Sequence, residues 1–234
     1  MDYPARAMIR RVRKSIAWRV MRRVDPWVVK RFHRLFYGSA VWGESRWLGA
    51  RAYKNPLDLW IFQEIITETS PDLIIETGTH SGGSALYFAS VCELLGRGEV
   101  LSIDIEAVKE IYPLHPRITY VGGRSSTDPE VVEEVRRRAA GRRTMLILDS
   151  DHSQGHVEAE LDAYAPLVTE GCYAIVEDSN IGPVRPDLMP GPMQAIETFL
   201  ASNRDFVADS TRERFMLTFN PSGYLRRRGP ARDA

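Results

Sequence analysis

Three short segments carry residue types that could do chemistry. "LILDSDHSQGH", Leu146 to His156, sets Asp149, Asp151 and His152 directly after an apolar run. "AIVEDSN", Ala174 to Asn180, does the same with Glu177, Asp178 and Asn180, and "ETGTHSGGS", Glu76 to Ser84, follows a third run with glycines. Carboxylates gathered in one small volume repel one another unless a cation is present. Hard oxygen ligands without cysteine point to Mg2+, Mn2+ or Ca2+ rather than zinc. Asp149, Glu177 and Asp178 are therefore the candidate metal set, and Asn180 or Asp151 can add a further oxygen. The duller alternative is that the acids cap the following helices and bond loop amides.

His152 stands three residues past Asp149. Imidazole exchanges protons near neutral pH, which suits a general base. His156, one turn further, reads as a packing residue, and His80 as a cofactor contact with no chemical role. The glycine loop lets backbone approach a ligand closely and opens a helix whose free N–H groups favour electron-rich partners. Gly78, His80 and Gly83 lack the middle glycine of the nicotinamide pattern G-x-G-x-x-G. Asp104, which ends a short apolar run, is positioned either to accept hydrogen bonds from two ribose hydroxyls or to cap a helix.

These residues need elements to hold them. "DLIIET", "EVLSIDIE", "RITYVGG", "RTMLILDS" and "GCYAIVEDSN" read as five strands, and "PLDLWIFQEIITET", "GGSALYFASVCELLG", "DPEVVEEVRRRAAG", "SQGHVEAELDAYAPLV" and "GPMQAIETFLASN" as the helices among them. "DFVAD" and "RFMLTFN" read as two closing strands, joined by "STRE" into an antiparallel hairpin at one edge. Strands apolar on both faces that alternate with helices give an α/β fold, a doubly wound and mostly parallel sheet. Ligands bind such sheets beyond the carboxyl ends of the strands. All five expected strand ends are polar or glycine-rich, including Ser125 and Ser126 after the third. Lys54 and Asn55, in "RAYKNPLDLW", precede the helix flanking that cleft and face either ligand or solvent.

The chain has 234 residues, 44% of them hydrophobic, enough for one full core. Two cysteines in apolar segments suggest reduced core thiols, and no apolar run is long enough to cross a bilayer or to serve as a secretory signal, so a cytoplasmic protein is expected. The zero net charge conceals an asymmetry: residues 1–36 hold 11 Lys/Arg against Asp2 and Asp25, leaving 20 basic and 29 acidic residues elsewhere. Residues 1–46 read as a basic arm whose amphipathic helix ends near Pro26. Its stripe fits the body, a second subunit of a homo-oligomer, or the inner face of a membrane. Nucleic acid is not expected as a partner. Residues 223–234, "GYLRRRGPARDA", read as a frayed basic tail.

Together, "WLGARAYKNPLDLWIFQEI", "IIETGTHSGGSA", "VLSIDIE", "LILDSDHSQGHVEAEL" and "YAIVEDSN" resemble class I S-adenosylmethionine-dependent methyltransferases. The specific likeness is to the metal-dependent O-methyltransferase group that contains the cephalosporin hydroxylase and rhamnosyl O-methyltransferase family, over residues 47–219. The resemblance implies a seven-stranded Rossmann-like sheet with an antiparallel edge, a methyltransferase domain over residues 47–222, and the cofactors S-adenosylmethionine and Mg2+ (or Mn2+). It puts Glu76, Gly78, Thr79, Ser84, Asp104, Ser125 and Asp149 at cofactor positions, and Asp149, Glu177 and Asp178 at metal positions. His152 falls where related enzymes place a catalytic base, a lysine in the catechol enzymes and a histidine in the macrolide-sugar enzymes. The implied acceptor is a hydroxyl of a small molecule, a sugar of a glycolipid or natural product, under a lid formed by "SNIGPVRPDLMPGPM". No iron-binding facial triad accompanies the hydroxylase name. Two rivals share the architecture: an NAD-dependent oxidoreductase, which leaves the acid set unexplained, and a non-catalytic scaffold, which leaves the full set of site residues unexplained.

Overall fold

A computed structural model describes residues 26–229, and the chain divides into two compact units, residues 1–39 and 40–234. In the first unit one helix is described, α1 (Pro26–Gly38), which begins at the proline where the arm helix was expected to end; the expected helix itself lies outside the described residues. Pro26 fits a first helical turn, where the missing N–H costs nothing.

The second unit opens with a two-stranded ribbon, β1 (Arg46–Trp47) and β2 (Ala50–Arg51). It continues through α2 (Pro56–Thr69), β3 (Leu73–Thr77), α3 (Gly83–Leu94), β4 (Glu99–Asp104), β5 (Ile118–Gly122), α4 (Pro129–Ala139), β6 (Thr144–Leu148), α5 (Gln154–Tyr164), β7 (Tyr173–Val176), α6 (Pro192–Ser202), β8 (Phe206–Ala208) and β9 (Tyr224–Arg227). Local chemistry sets the helix starts: Asn55 and Asp128 each accept a first-turn amide ahead of a proline. The main sheet runs β5-β4-β3-β6-β7-β9-β8, with β5 through β7 parallel and β9 antiparallel to both β7 and β8. The chain builds outward from β3 to β5 and returns on the other side of β3 at β6, so the switch point lies between β3 and β6.

Alternate strand residues feed two cores. Ile75, Leu146, Leu148 and Val176 pack with Val135, Leu161 and Phe199 on one face, and Ile74, Met145, Ile147 and Ile175 with Phe62, Ile65 and Phe88 on the other. Both cysteines, Cys92 and Cys172, are buried free thiols.

The carboxyl-terminal reading needs correction. "RFMLTFN" is not a strand: Phe215 and Met216 are exposed, and Met216 adopts a left-handed φ of 68°. The antiparallel partner of β8 is instead Tyr224–Arg227, inside the expected tail, so the fold of the second unit extends past residue 222. Tyr224 and Leu225 are wholly buried, while the Arg227 guanidinium reaches out to the Val168 and Pro166 carbonyls. A strand with two apolar residues and arginines that snorkel to its rim looks like a solvated tail in sequence.

Candidate active site

The glycine loop leaves β3 at the switch point. Gly78 has φ +88°, and a Cβ there would overlap the Asp149 carbonyl oxygen, so this glycine lets the chains after β3 and β6 lie against one another. The Gly78 amide donates to the Ile103 carbonyl (2.8 Å), which ties the same loop to β4. Asp104 accepts from the backbone amides of His80 (2.8 Å) and Glu106 (2.9 Å), one on each carboxylate oxygen. Its charge is thus oriented by the loops on either side of it, and each oxygen retains a further lone pair.

These loop ends border a cavity of about 490 Å3, lined among others by Gly78, Asp104, Ser125 and Asp149. Its size suits a nucleoside-bearing ligand. Of the seven residues expected at the cofactor, those four line it. Glu76, Thr79 and Ser84 do not; they are buried in a chain of hydrogen bonds running from Thr79 to Ser102 (2.7 Å) and from Ser102 to Glu76 Oε2 (2.6 Å). Burial pushes the Glu76 carboxyl up to about 7, against the pull of Lys54, Ser102 and Ser84. Its Oε1 is buried without a hydrogen bond that meets ordinary geometry.

The acids expected after β6 and β7 lie at the same end of the sheet. Leu148 on β6 and Val176 on β7 are register partners, so Asp149 and the pair Glu177–Asp178 leave adjacent parallel strands at one level. Asp149, His152 and Asp178 bring ligand atoms within 4.8 Å of one another, and His152 Nε2 is 3.4 Å from Asp178 Oδ2. Asp178 adopts a left-handed φ of 53°, and its amide donates to Asn220 Oδ1 (3.1 Å). For a non-glycine residue that conformation is a local strain, of the kind that clusters at functional sites. Burial pushes Asp178 up to about 6 and Glu177 well above the usual carboxylate range.

Glu177 stands apart from the expected trio. Its Oε1 accepts from the Lys54 ammonium at 2.7 Å, and Lys54 also pairs closely with Asp149 Oδ2. Lys54 is 3% exposed, which settles the question its sequence left open: it faces the acids. Asn55 caps α2 and donates to Asp58 (3.0 Å) rather than facing ligand. Asp151 Oδ1 accepts from the Ser153 amide, and Asn180 Nδ2 donates to the Thr218 carbonyl, so both serve local structure with these atoms. His80 also lines the first cavity.

A second cavity, of about 560 Å3, lies between residues 150–155, including His152, and residues 187–190 of the expected lid. The lid is anchored at its far end, where the Gln154 amide donates to the Pro190 carbonyl (3.0 Å).

Sequence reasoning missed one buried network. Glu160 Oε1 on α5 accepts from Ser126 Oγ (2.5 Å) and Ser150 Oγ (2.7 Å), and His156 Nε2 lies 3.3 Å away. Ser126, Ser150 and His156 all line the first cavity. The available signal was the spacing of His156, Glu160 and Tyr164, four residues apart on one helix face.

Seven strands in this order, with a glycine loop at the switch point and an acid cluster on the neighbouring strands, define a Rossmann-like domain of the methyltransferase class. The sequence model of the family described as Rhamnosyl O-methyltransferase/CmcI matches residues 39–228, and the chain belongs to that family. It is 38% identical over 221 residues to a rhamnosyl O-methyltransferase of Mycobacterium tuberculosis (strain H37Rv), covering 90% of this chain and 89% of that one. The rhamnosyl O-methyltransferase of Mycobacterium leprae is 36% identical over 232 residues, covering 94% and 99%. Among solved structures, CmcI in an apo form superposes with a TM-score of 0.61 at 24% identity, covering 80% of this chain and 77% of that one. CmcI with Mg and SAM gives 0.59 at 22% identity, covering 80% and 78%. At these identities the structures establish a common fold.

Proposed function

We propose that the protein is a metal-dependent O-methyltransferase that moves a methyl group from S-adenosylmethionine to a hydroxyl of a sugar-bearing small molecule. The observation that carries this reading is the meeting of Asp149, His152 and Asp178, with Asp149 lining one cavity and His152 the other. Its support from kinship is that the relatives, at more than a third identity over nearly their whole length, are named for rhamnosyl O-methylation.

The carboxylate oxygens of Asp149 and Asp178 suit a hard divalent ion. Asp149, Glu177 and Asp178 would hold it. When bound, S-adenosylmethionine supplies an electrophilic methyl on sulfur, and Mg2+ or Mn2+ supplies a Lewis acid that eases loss of an alcohol proton. The chain's own residues do the rest. Asp104 receives the ribose hydroxyls, Gly78 gives the methyl donor a close backbone wall, and Ser125 bounds its base, while Thr79 braces the loop from behind through Ser102. Glu76 and Ser84 fix the loop from beneath. His152 Nε2 takes the acceptor proton, and the Asp178 carboxylate 3.4 Å away steadies the resulting imidazolium. The lid excludes water and aligns acceptor with donor, a positioning effect that supplies much of such rate enhancements.

No described helix is long and apolar enough to cross a membrane. We place the enzyme in the cytoplasm, with its arm resting on the inner membrane face. Helix α1 exposes Val28, Phe32 and Leu35 beside Lys30, Arg31 and Arg34, a composition that suits an anionic lipid surface. Sedimentation with phosphatidylglycerol vesicles tests this, and binding unchanged in a protein lacking residues 1–38 refutes it.

The enzymatic reading is tested by incubating the purified protein with S-adenosylmethionine, MnCl2 and a rhamnosylated acceptor. Gain of one methyl by the acceptor, lost in excess chelator, is the expected result. Full turnover in chelator overturns the role of the metal. Calorimetric binding of NAD in place of S-adenosylmethionine overturns the reaction class.

A further inference from the structure

Lys54 is an unusual lysine. Its side chain is 3% exposed, and its ammonium spans the gap between Asp149 Oδ2 and Glu177 Oε1. The backbone beneath it is fixed on both sides. The Lys54 amide donates to Ser45 Oγ (3.1 Å), Tyr53 before it holds a left-handed φ of 51°, and Asn55 after it is the N-cap of α2. The fixed backbone sets where the side chain starts, and burial with two ion pairs holds its ammonium against the acids.

In the deprotonated form that can bind a metal, Asp149, Glu177 and Asp178 carry three negative charges between them, and the ammonium cancels one. The remainder matches the charge of a single divalent cation. Asp149 is the shared member: its Oδ2 meets Lys54, while Asp149 also belongs to the group it forms with His152 and Asp178. Any ion that takes up Asp149 and Glu177 therefore competes with the ammonium for the same oxygens or sits beside it against like-charge repulsion.

We infer that Lys54 is a resident counter-cation of the acid cluster, a positioning residue that keeps Asp149 and Glu177 together in the metal-free protein and holds metal affinity below what the carboxylates alone would give. The inference rests on the metal reading proposed above. Its signature runs opposite to that of an ordinary structural residue: removing Lys54 weakens the metal-free fold and tightens metal binding.

The test compares full-length wild type with Lys54→Met and Lys54→Gln, using MnCl2 as the probe. Affinity is read by calorimetry, and thermal unfolding is followed in chelator and at saturating Mn2+. Both variants are expected to bind Mn2+ about tenfold or more tighter than wild type. In chelator they are expected to melt about 5 °C or more lower, with most of that loss restored by Mn2+. A variant that stays folded only with Mn2+ and unfolds on chelation also supports the inference. Variants that bind Mn2+ no tighter than a wild type that does bind it overturn the role of Lys54 and leave the metal site standing. A wild type that takes up no Mn2+ overturns the metal reading itself.

Discussion

The two edges of the main sheet handle charge in opposite ways. At the amino-terminal edge three acids meet arginine in the open. Asp72 pairs with Arg97 (2.6 Å) and accepts from the Arg143 amide (3.0 Å), Glu99 pairs with Arg142 (3.1 Å), and Glu93 pairs with Arg117. At the carboxyl-terminal edge Glu76 and Glu177 are buried, Asp149 and Asp178 lie close by, and Lys54 is the one ammonium among them within the described residues. Exposed, matched pairs contribute little and ask little of the fold. Buried, under-matched carboxylates cost stability, and a fold that keeps them has a use for them beyond its own cohesion. Substitution at the two edges should therefore give opposite patterns, loss of chemistry at one and a small loss of stability at the other.

The sharpest break is Asp149→Ala. It removes the residue common to the cofactor cavity, the acid cluster and the Lys54 pair. Turnover is expected to fall on the order of 10³-fold or more. Affinity for S-adenosylmethionine, measured by calorimetry, should stay within about one order of magnitude. Turnover close to wild type would place the chemistry elsewhere.

His152→Ala comes next, with turnover lowered on the order of 10²-fold as expected for loss of a general base. Because His152 also lies within coordination reach of the acids, the informative companion is Mn2+ affinity. A base leaves that affinity unchanged. Affinity that collapses along with turnover would make His152 a ligand.

A smaller effect separates the buried network behind the cofactor cavity from both edges. Glu160 beside His156 raises the imidazole above its ordinary value of 6.5, partly offset by burial. The folded value lies above the unfolded one, so the stability His156 contributes is fully present below about pH 6.5 and is lost as pH rises through its folded value. Proton NMR titration of the wild type should show that raised midpoint, and Glu160→Gln should lower it. A midpoint unmoved by the substitution would detach His156 from Glu160.

Much of this contrast was legible in the sequence, for definite reasons. Strands such as Ile74–Ile75 and Leu146–Leu148 are apolar on both faces, which specifies a covered parallel sheet, and polar residues follow each at its carboxyl end. Asp149, Glu177 and Asp178 could be grouped because adjacent parallel strands end at one level. Lys54 could not be assigned, since a lysine before an Asn-Pro helix start looks the same whether it points to water or inward, and burial is decided by distant chain. The Tyr224–Arg227 strand was hidden by its arginines, and Glu160 by the charged composition of the helix that buries it.

The amino-terminal edge supplies the mildest and most discriminating comparison. Arg97 and the Arg143 amide hold the Asp72 carboxyl below its usual range, although the side chain is 39% exposed. Solvent screens such a pair, so Asp72→Asn should cost about 1 kcal/mol or less, read from urea unfolding at neutral pH. The sign with pH follows from a depressed folded value: the contribution is present above the unfolded value near 3.8 and is lost as pH falls through the folded one. The difference between variant and wild type should therefore shrink as the solution is acidified. Turnover should not change, because no residue of the amino edge lines either cavity at the carboxyl edge. An Asp72→Asn enzyme that lost activity while keeping its stability would dissolve the division of labour between the edges, since charge at the far end of the strands would then be reaching the reaction.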